Sequence, residues 1–246
     1  MIYCLISNIE SEKVSKKNVD SKIIYRINSP INYLPEDLRE YIDKTKNEAV
    51  RAERLLAYTS LLSGLRCFFG IKKFSVERTS NGKPYIVTNK SSDGIENCED
   101  KKIYISISHS DDACAVAISD EGEIGIDLQS EINKERSDRL SKRFFEDLEY
   151  KNEKINFEMY FCKVNDDEAT IEKCPSDFFE ELNQNDFSAD KIFSVKWTLA
   201  ESKLKLFGGG FSDIKKLQNN DENVITEIKK MTLGKTYYFA LSNMLK

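Results

Sequence analysis

The segment from Ile103 to Gln129 constrains the fold most, because it contains three different strand patterns separated by two turns. At its start, isoleucines alternate with tyrosine and serine, which is the period of a strand with one apolar face. An unbroken apolar run over Ala113–Ile118 and a further run over Ile124–Leu128 each follow residues of turn composition. If the three strands form a meander, the first and the third run in the same direction. His109, where the first strand stops, and Asp127, near the end of the third, are then expected at one end of the sheet, where loops gather functional groups.

Composition indicates a globular protein of one large or two small domains, since 246 residues with 40% apolar content can bury a sizeable core. The 37 basic and 42 acidic residues leave a net charge of −5, which argues against nucleic acid as the principal partner. Six cysteines are scattered without a C-x-x-C pair, which predicts reduced thiols and no zinc site. Neither a signal peptide nor a membrane-spanning apolar run is recognised. We therefore expect a cytoplasmic protein with no membrane partner.

Periodicity and turn chemistry predict most of the remaining elements. They are a strand over residues 2–7, a helix opening at Pro35, a long amphipathic helix over Glu48–Phe69, a strand at Tyr85–Val87, a helix over Asp138–Lys151, a helix over Phe193–Phe207 stopped by Gly208, and a strand at Thr236–Leu241. Polar composition predicts loops at Ser11–Lys22 and Ser91–Lys102. Residues 152–190 are acidic and rich in asparagine, with aromatic residues interspersed, so we expect short elements in a long excursion rather than a separate domain.

Trp197, Glu201 and Lys205 fall on one face of the predicted helix that ends at Gly208. A carboxylate on a helix and a second one at a strand end, here Asp127, can hold Mg²⁺ on a phosphate, because Mg²⁺ is usually bound by one or two carboxylates and substrate phosphates. Each residue also has a simpler interpretation. Glu201 and Lys205 fit a surface ion pair, Asp127 a turn former, and His109 a polar residue with one hydrogen bond.

Five motifs follow one another along the chain. They are Gly82-Lys83-Pro84, Ile107-Ser108-His109-Ser110, Ile124-Gly125-Ile126-Asp127, Arg143-Phe144-Phe145 with Glu149-Tyr150 after it, and Trp197-Thr198-Leu199-Ala200-Glu201-Ser202-Lys203-Leu204-Lys205. In this order the chain resembles the 4′-phosphopantetheinyl transferases of the surfactin-synthetase-activating type. The resemblance spans nearly the whole chain, including the opening strand and the helix with Arg51 and Arg54.

The resemblance implies an α+β pseudo-dimer of two similar halves, each a small antiparallel sheet packed on a long helix, with the active site in the cleft between them. The halves would be residues 1–120 and 121–246, the second with an acidic insertion at about 152–191. The implied activity is Mg²⁺-dependent transfer of 4′-phosphopantetheine from coenzyme A to a serine of an apo acyl or peptidyl carrier protein, releasing adenosine 3′,5′-bisphosphate. We expect a monomer, because the two halves supply both sides of one cleft.

The same resemblance implies roles for individual residues. Asp127 and Glu201 would be metal ligands, with Gln129 as a third. Lys205 would contact the pyrophosphate and belong with Asp127 and Glu201 to the catalytic set, in which Glu201 is the candidate base. The 3′-phosphate and adenine end of coenzyme A would be held by Ser108, His109, Lys83 and Pro84, and Arg54 is a further candidate for the phosphates.

Three departures from the family pattern leave alternatives open. Gln129 stands where the family commonly has a second acid, and Ala200 stands where it usually has a lysine before the glutamate. The excursion from Asn152 to Lys191 is longer than is typical there. One alternative is a catalytically impaired homologue that binds coenzyme A or a carrier protein. Another is an interaction module in which Glu201 and Lys205 form a solvated pair.

Overall fold

Two β-sheets packed face to face, each covered on its other side by one long helix, form the fold and confirm the predicted α+β class. The structure is a computed structural model. It describes residues 1–8, 24–28, 30–88, 102–144, 152–164, 168–182, 189–210, 213–214 and 223–244. The predicted loops at residues 11–22 and 91–101 lie outside these ranges.

The larger sheet has eight strands. In spatial order they are β2 (Ile24–Asn28), β9 (Glu168–Lys173), β8 (Phe157–Val164), β1 (Ile2–Asn8), β6 (Ala113–Ser119), β5 (Ile103–Ser110), β4 (Pro84–Val87) and β3 (Ser75–Arg78). The β1–β8 pair is parallel and the other neighbours are antiparallel. The sheet is therefore larger than the small antiparallel sheet that we expected for one half.

The smaller sheet has four antiparallel strands. In spatial order they are β10 (Phe179–Glu180), β11 (Val224–Leu233), β12 (Lys235–Met244) and β7 (Ile124–Ser130). A short 3₁₀ helix at Pro30–Tyr33 and four α-helices complete the described elements. The α-helices are α1 (Glu36–Asp43), α2 (Glu48–Phe69), α3 (Lys134–Phe144) and α4 (Ala189–Phe207).

The long helix α2 has the bounds predicted from its sequence. The side chain of Asn47 caps its start by accepting hydrogen bonds from the backbone N–H of Ala49 and Val50 at 3.0 and 3.2 Å. Gly70 ends it with a φ of 67°, in the left-handed region that favours glycine. Its buried leucines pack on the larger sheet. In the described part of the chain, no helix is both long and apolar enough to cross a lipid bilayer.

Two predictions from the central segment were wrong. His109 does not end a strand, because β5 continues to Ser110 and pairs His109 with Cys114 of β6. The three strands also do not form a meander, because β7 pairs with β12 in the other sheet. An alternating pattern reveals which face of a strand is buried, and it does not reveal the partner strand.

Predicted elements in the C-terminal half differ in extent. The helix predicted over Asp138–Lys151 begins earlier, at Lys134, and its residues after Phe144 lie outside the described ranges. The excursion at residues 152–190 contains β8, β9 and β10, and β8 pairs with β1. The larger sheet thus contains strands from both sides of residue 120, where we divide the chain into halves.

Serine hydroxyls join the two sheets where β5 of one lies beside β7 of the other. Three serines of β5 accept hydrogen bonds from backbone N–H groups of β7 and satisfy donors that would otherwise be unpaired at a sheet edge. The pairs are Ser106 with Ile126 at 3.0 Å, Ser108 with Leu128 at 3.1 Å and Ser110 with Ser130 at 3.0 Å. These bonds fix β5 beside β7 and position Ser108 next to Asp127.

Candidate active site

The candidate site depends on an unusually close contact between β7 and α4. A Cβ atom added to Gly125 would lie 1.9 Å from the carbonyl oxygen of Ser202 and 2.5 Å from the backbone nitrogen of Leu206. Only a glycine allows these backbones to approach so closely. The contact brings Asp127, two residues along β7, beside Glu201 and Lys205 of α4.

Asp127 is buried, with 4% of its surface exposed, and one of its carboxylate oxygens has two partners. Oδ1 accepts hydrogen bonds from the hydroxyl of Ser108 at 2.8 Å and from Nζ of Lys205 at 2.7 Å. Nζ of Lys205 also donates to Ser108 at 2.8 Å. Oδ2 is buried and has no hydrogen-bond partner among the described residues. A buried carboxylate oxygen without a partner is costly, so Oδ2 is a natural ligand for a bound cation.

Glu201 shares the electrostatic environment of Asp127. Burial and the negative charge of Asp127 raise the pKa of the Glu201 carboxyl to about 7, and Lys205 opposes this rise. A divalent cation or a proton bound at the two carboxylates would remove the repulsion between them.

Gln129, the third predicted metal ligand, lies on the same face of β7 as Asp127. Its amide nitrogen donates to Ser110 Oγ at 3.3 Å and to the carbonyl of Ser130 at 3.1 Å, which leaves the amide oxygen as its possible ligand atom. The described residues contain no group of three or more His, Cys, Asp or Glu that could hold a metal. A cation here would thus depend on two carboxylates and on oxygens from a substrate, as Mg²⁺ commonly does.

A cleft of about 340 Å³ opens beside Lys205. It is bounded by α1, α2, the turn between β3 and β4, β5 and the end of α4. Five basic side chains line it: Arg54, Arg78, Lys83, His109 and Lys205. No carboxylate is found among the described residues of its lining, and Tyr41 and Tyr58 supply aromatic surface. The cleft therefore suits an anionic ligand with a flat ring, although the chain as a whole is acidic.

Lys83 has an ammonium group that is already engaged by the protein. It is 5% exposed, and Nζ donates to the carbonyl of Leu206 at 2.6 Å and to Glu123 at 3.4 Å. Burial lowers its pKa, and Glu123 opposes this change. Lys83 thus binds the C-terminal end of α4 to the β3–β4 turn, where a cation is favourable for the helix dipole. Pro84 follows it in the cleft wall.

Arg54 and His109 approach the cleft from α2 and β5. Nη1 of Arg54 donates to the hydroxyl of Thr45 at 2.8 Å, and its guanidinium lies over the ring of Tyr41 at 4.6 Å. Nδ1 of His109 lies 2.9 Å from Oε2 of Glu53. In the described part of the chain, Arg54 has no carboxylate partner.

The structure brings the predicted site residues into two adjoining groups. Asp127, Ser108 and Lys205 are hydrogen bonded to one another beside Glu201, while Arg54, Lys83, Pro84 and His109 join Lys205 in the cleft. Ser108 is buried with three partners inside the protein, so its predicted contact with a ligand stays a prediction.

Sequence reasoning assigned no role to three residues of this region. Arg78 lies in the cleft wall, Glu53 contacts His109, and Gly125 permits the contact between β7 and α4. Glycine within a strand is a recognised signal of close backbone approach and could have identified Gly125. Arg78 and Glu53 carry no comparable signal, because charged residues are common on exposed helix and strand faces.

Comparison with known proteins gives no match, either to a protein-family model or to a curated protein sequence.

Proposed function

We propose that this protein transfers the 4′-phosphopantetheine group of coenzyme A to a serine of an apo acyl or peptidyl carrier protein, in a Mg²⁺-dependent reaction. The serine oxygen forms a bond to the β-phosphorus, the bond from that phosphorus to the bridging oxygen of the diphosphate breaks, and adenosine 3′,5′-bisphosphate leaves. One observation supports this above all. The carboxylates of Asp127 and Glu201 and the ammonium of Lys205 meet at the edge of a cleft lined with basic side chains.

The donor set at this edge fits Mg²⁺. Oδ2 of Asp127 is buried without a partner among the described residues, and Glu201 is destabilised as a carboxylate by burial and by Asp127. Asp127 and Glu201 would hold the ion, with the amide oxygen of Gln129 as a third donor. When bound, Mg²⁺ would neutralise negative charge on the diphosphate.

The side chains of the protein have separate tasks in the proposed reaction. Lys205 supplies a fixed positive charge to the diphosphate, because 28% of its side chain is exposed and Nζ is held by Ser108 and Asp127. Glu201 takes the proton of the attacking serine hydroxyl. A carboxylate has two oxygens, so one can contact the ion while the other accepts the proton.

The nucleotide end of coenzyme A would occupy the basic cleft. Arg54, His109 and the newly recognised Arg78 are candidates for its phosphates, and Tyr41 and Tyr58 provide surface for the adenine ring. Lys83 contributes charge while it is bound to the end of α4.

We also propose that the chain is a pseudo-dimer, with an active site between two similar halves. Each sheet packs on one long helix, α2 or α4, which supports this. The hairpin of β8 and β9 extends the larger sheet, and it would be an addition to the unit of one sheet and one long helix that the two halves share.

Ala200, which replaces the usual lysine, is fully buried beside Leu204 and Ile214. A lysine at this position would have to leave the apolar core, so the substitution fits the packing of α4 in this chain. A second candidate function, binding of coenzyme A without transfer, is favoured by Gln129, since a site with one acid fewer holds a divalent cation less strongly.

Mass spectrometry of a panel of apo carrier proteins tests the proposal directly. With coenzyme A and Mg²⁺, the wild-type protein should add the mass of one phosphopantetheine to at least one carrier. Glu201→Gln and Asp127→Ala should reduce the rate by roughly a hundredfold or more, because the first removes the base and each removes a carboxylate that would hold the ion. Glu180→Gln, which alters an exposed carboxylate of β10, serves as the matched control and should keep the wild-type rate.

Failure with every carrier class would contradict the proposal. Calorimetry would then separate the alternatives. Tight binding of coenzyme A without transfer, not restored by Gln129→Glu, would favour the binding protein, and no binding at all would favour the interaction module.

A further inference from the structure

A carboxylate behind His109 is not explained by the proposed chemistry. Oε2 of Glu53, on α2, lies 2.9 Å from Nδ1 of His109, on β5. The side chain of Glu53 is 16% exposed and that of His109 is 44% exposed. The contact therefore joins a largely buried carboxylate to a ring that lines the cleft.

This contact determines which ring nitrogen of His109 carries a hydrogen. An ionised carboxylate only accepts hydrogen bonds, so Nδ1 must carry the hydrogen that it donates to Glu53. With its Nδ1 edge held by α2, the ring has Nε2 left for a ligand. A neutral ring of this tautomer has a bare lone pair at Nε2, whereas the charged ring has an N–H there that can donate to an anion.

Four basic side chains besides His109 line the cleft. Arg54 of α2, Arg78 and Lys83 of the β3–β4 region, and Lys205 of α4 all line the same cleft. Glu53 is a carboxylate in contact with the ring, so a charged imidazole has a partner of opposite charge there.

We propose that Glu53 is a positioning residue, which holds Nδ1 of His109 and places its negative charge beside the ring, so that the charged imidazole donates from Nε2–H to a phosphate of the ligand. This inference deepens the proposed function and rests on it for the identity of the ligand, coenzyme A. The usual alternative for such a pair is a surface ion pair of little energetic value. The low exposure of Glu53 and the place of His109 in the cleft wall argue against that alternative.

The orientation can be measured without any ligand, because His109 is the only histidine of the chain. Nitrogen-15 NMR of the neutral imidazole distinguishes a ring protonated at Nδ1 from one protonated at Nε2. We expect Nδ1–H in the wild type and in Glu53→Gln, whose amide oxygen can still accept the bond, and a shift toward Nε2–H in Glu53→Ala. Glu48→Ala, which removes an exposed carboxylate from the same helix, should leave the tautomer unchanged. The same tautomer in the wild type and in Glu53→Ala would overturn the proposal.

The effect on binding is measured by calorimetry with coenzyme A. Glu53→Ala and His109→Ala should each weaken binding roughly tenfold, which is typical of one charge-assisted hydrogen bond. The double variant should bind no more weakly than His109→Ala, because Glu53 acts through His109. Glu53→Gln should lie between the wild type and Glu53→Ala, since it keeps the orientation and loses the charge.

Losses that add in the double variant, or the absence of coenzyme A binding by the wild type, would overturn the proposed role in ligand binding. These results distinguish the role of Glu53 from the proposed transferase activity. An unchanged tautomer contradicts the role of Glu53 even if phosphopantetheine is transferred, and a Glu53-dependent tautomer with coupled binding supports it even if no carrier is modified.

Discussion

The two carboxylate oxygens of Asp127 differ in their hydrogen bonding. Oδ1 has the hydroxyl of Ser108 and the ammonium of Lys205 as partners, while Oδ2 is buried with none in the described part of the chain. The sequence indicated the chemical types of these residues and their order. It could not indicate that Lys205 both pairs with Asp127 and lines the cleft, because that depends on the distance between two elements far apart in the chain.

The raised pKa of the Glu201 carboxyl predicts an unusual dependence of the unfolding free energy on pH. The pKa of its carboxyl is about 7 in the folded protein against an ordinary value of 4.5, so the folded chain retains a proton that the unfolded chain has released. The protonated Glu201 carboxyl makes its full contribution to stability below the pKa that it has in the unfolded chain. That contribution is lost as the pH rises through the pKa in the folded protein. Without divalent cations, the free energy of unfolding should fall by about 1–3 kcal/mol between about pH 5 and about pH 8.

Urea denaturation followed by circular dichroism at a series of pH values measures this effect. Glu201→Gln serves as the control, since it keeps the size and polarity of the side chain and cannot titrate. The difference in unfolding free energy between the two proteins should change over this range. Parallel curves for the wild type and Glu201→Gln would show that Glu201 titrates normally.

At the scale of elements, the contact between β7 and α4 determines whether the site exists. Gly125 lies where any Cβ would overlap the backbone of Ser202 and Leu206. Gly125→Ala should therefore destabilise the protein by at least about 2 kcal/mol, because the overlap is with backbone atoms that cannot rotate away. Chemical denaturation at fixed pH provides the measurement.

Gly122 offers a matched control in the turn before β7. A Cβ added there meets nothing within 4 Å, and its backbone is not in the left-handed region. Gly122→Ala should change the unfolding free energy by no more than about 0.5 kcal/mol. Equal effects of the two substitutions would contradict the role assigned to the β7–α4 contact.

Elements with strong local signals were predicted best. The bounds of α2 were predicted correctly because apolar residues recur every three to four positions between Glu48 and Phe69. The strands β3 and β11 were not predicted, and β7 was assigned to the wrong sheet. Strand pairing is decided by long-range packing, here by the shared core between the sheets and by the serines of β5, and local patterns do not contain this information.

At the scale of the whole molecule, the two predicted halves are closely interwoven. Strands β8 and β9, from beyond residue 120, extend the sheet that contains β1, β5 and β6. The core between the sheets also includes residues of β1, β6, β7, β11 and β12. Neither half can therefore bury its apolar surface alone.

Separate expression of residues 1–120 and 121–246 tests this interdependence. Neither fragment should show a cooperative thermal transition by circular dichroism, because each would expose a large part of the shared core. Mixing the fragments and repeating the measurement is the appropriate control for complementation. A fragment that unfolds cooperatively on its own would show that the halves are independent folding units.

Diffraction from crystals grown with Mn²⁺ and coenzyme A would show whether Asp127 and Glu201 bind one cation, since Mn²⁺ takes the oxygen ligands that Mg²⁺ prefers and has a measurable anomalous signal. We expect an anomalous peak within bonding distance of carboxylate oxygens of both Asp127 and Glu201, beside the diphosphate. A peak that contacts neither carboxylate, or coenzyme A bound outside the cleft of Arg54 and His109, would contradict it.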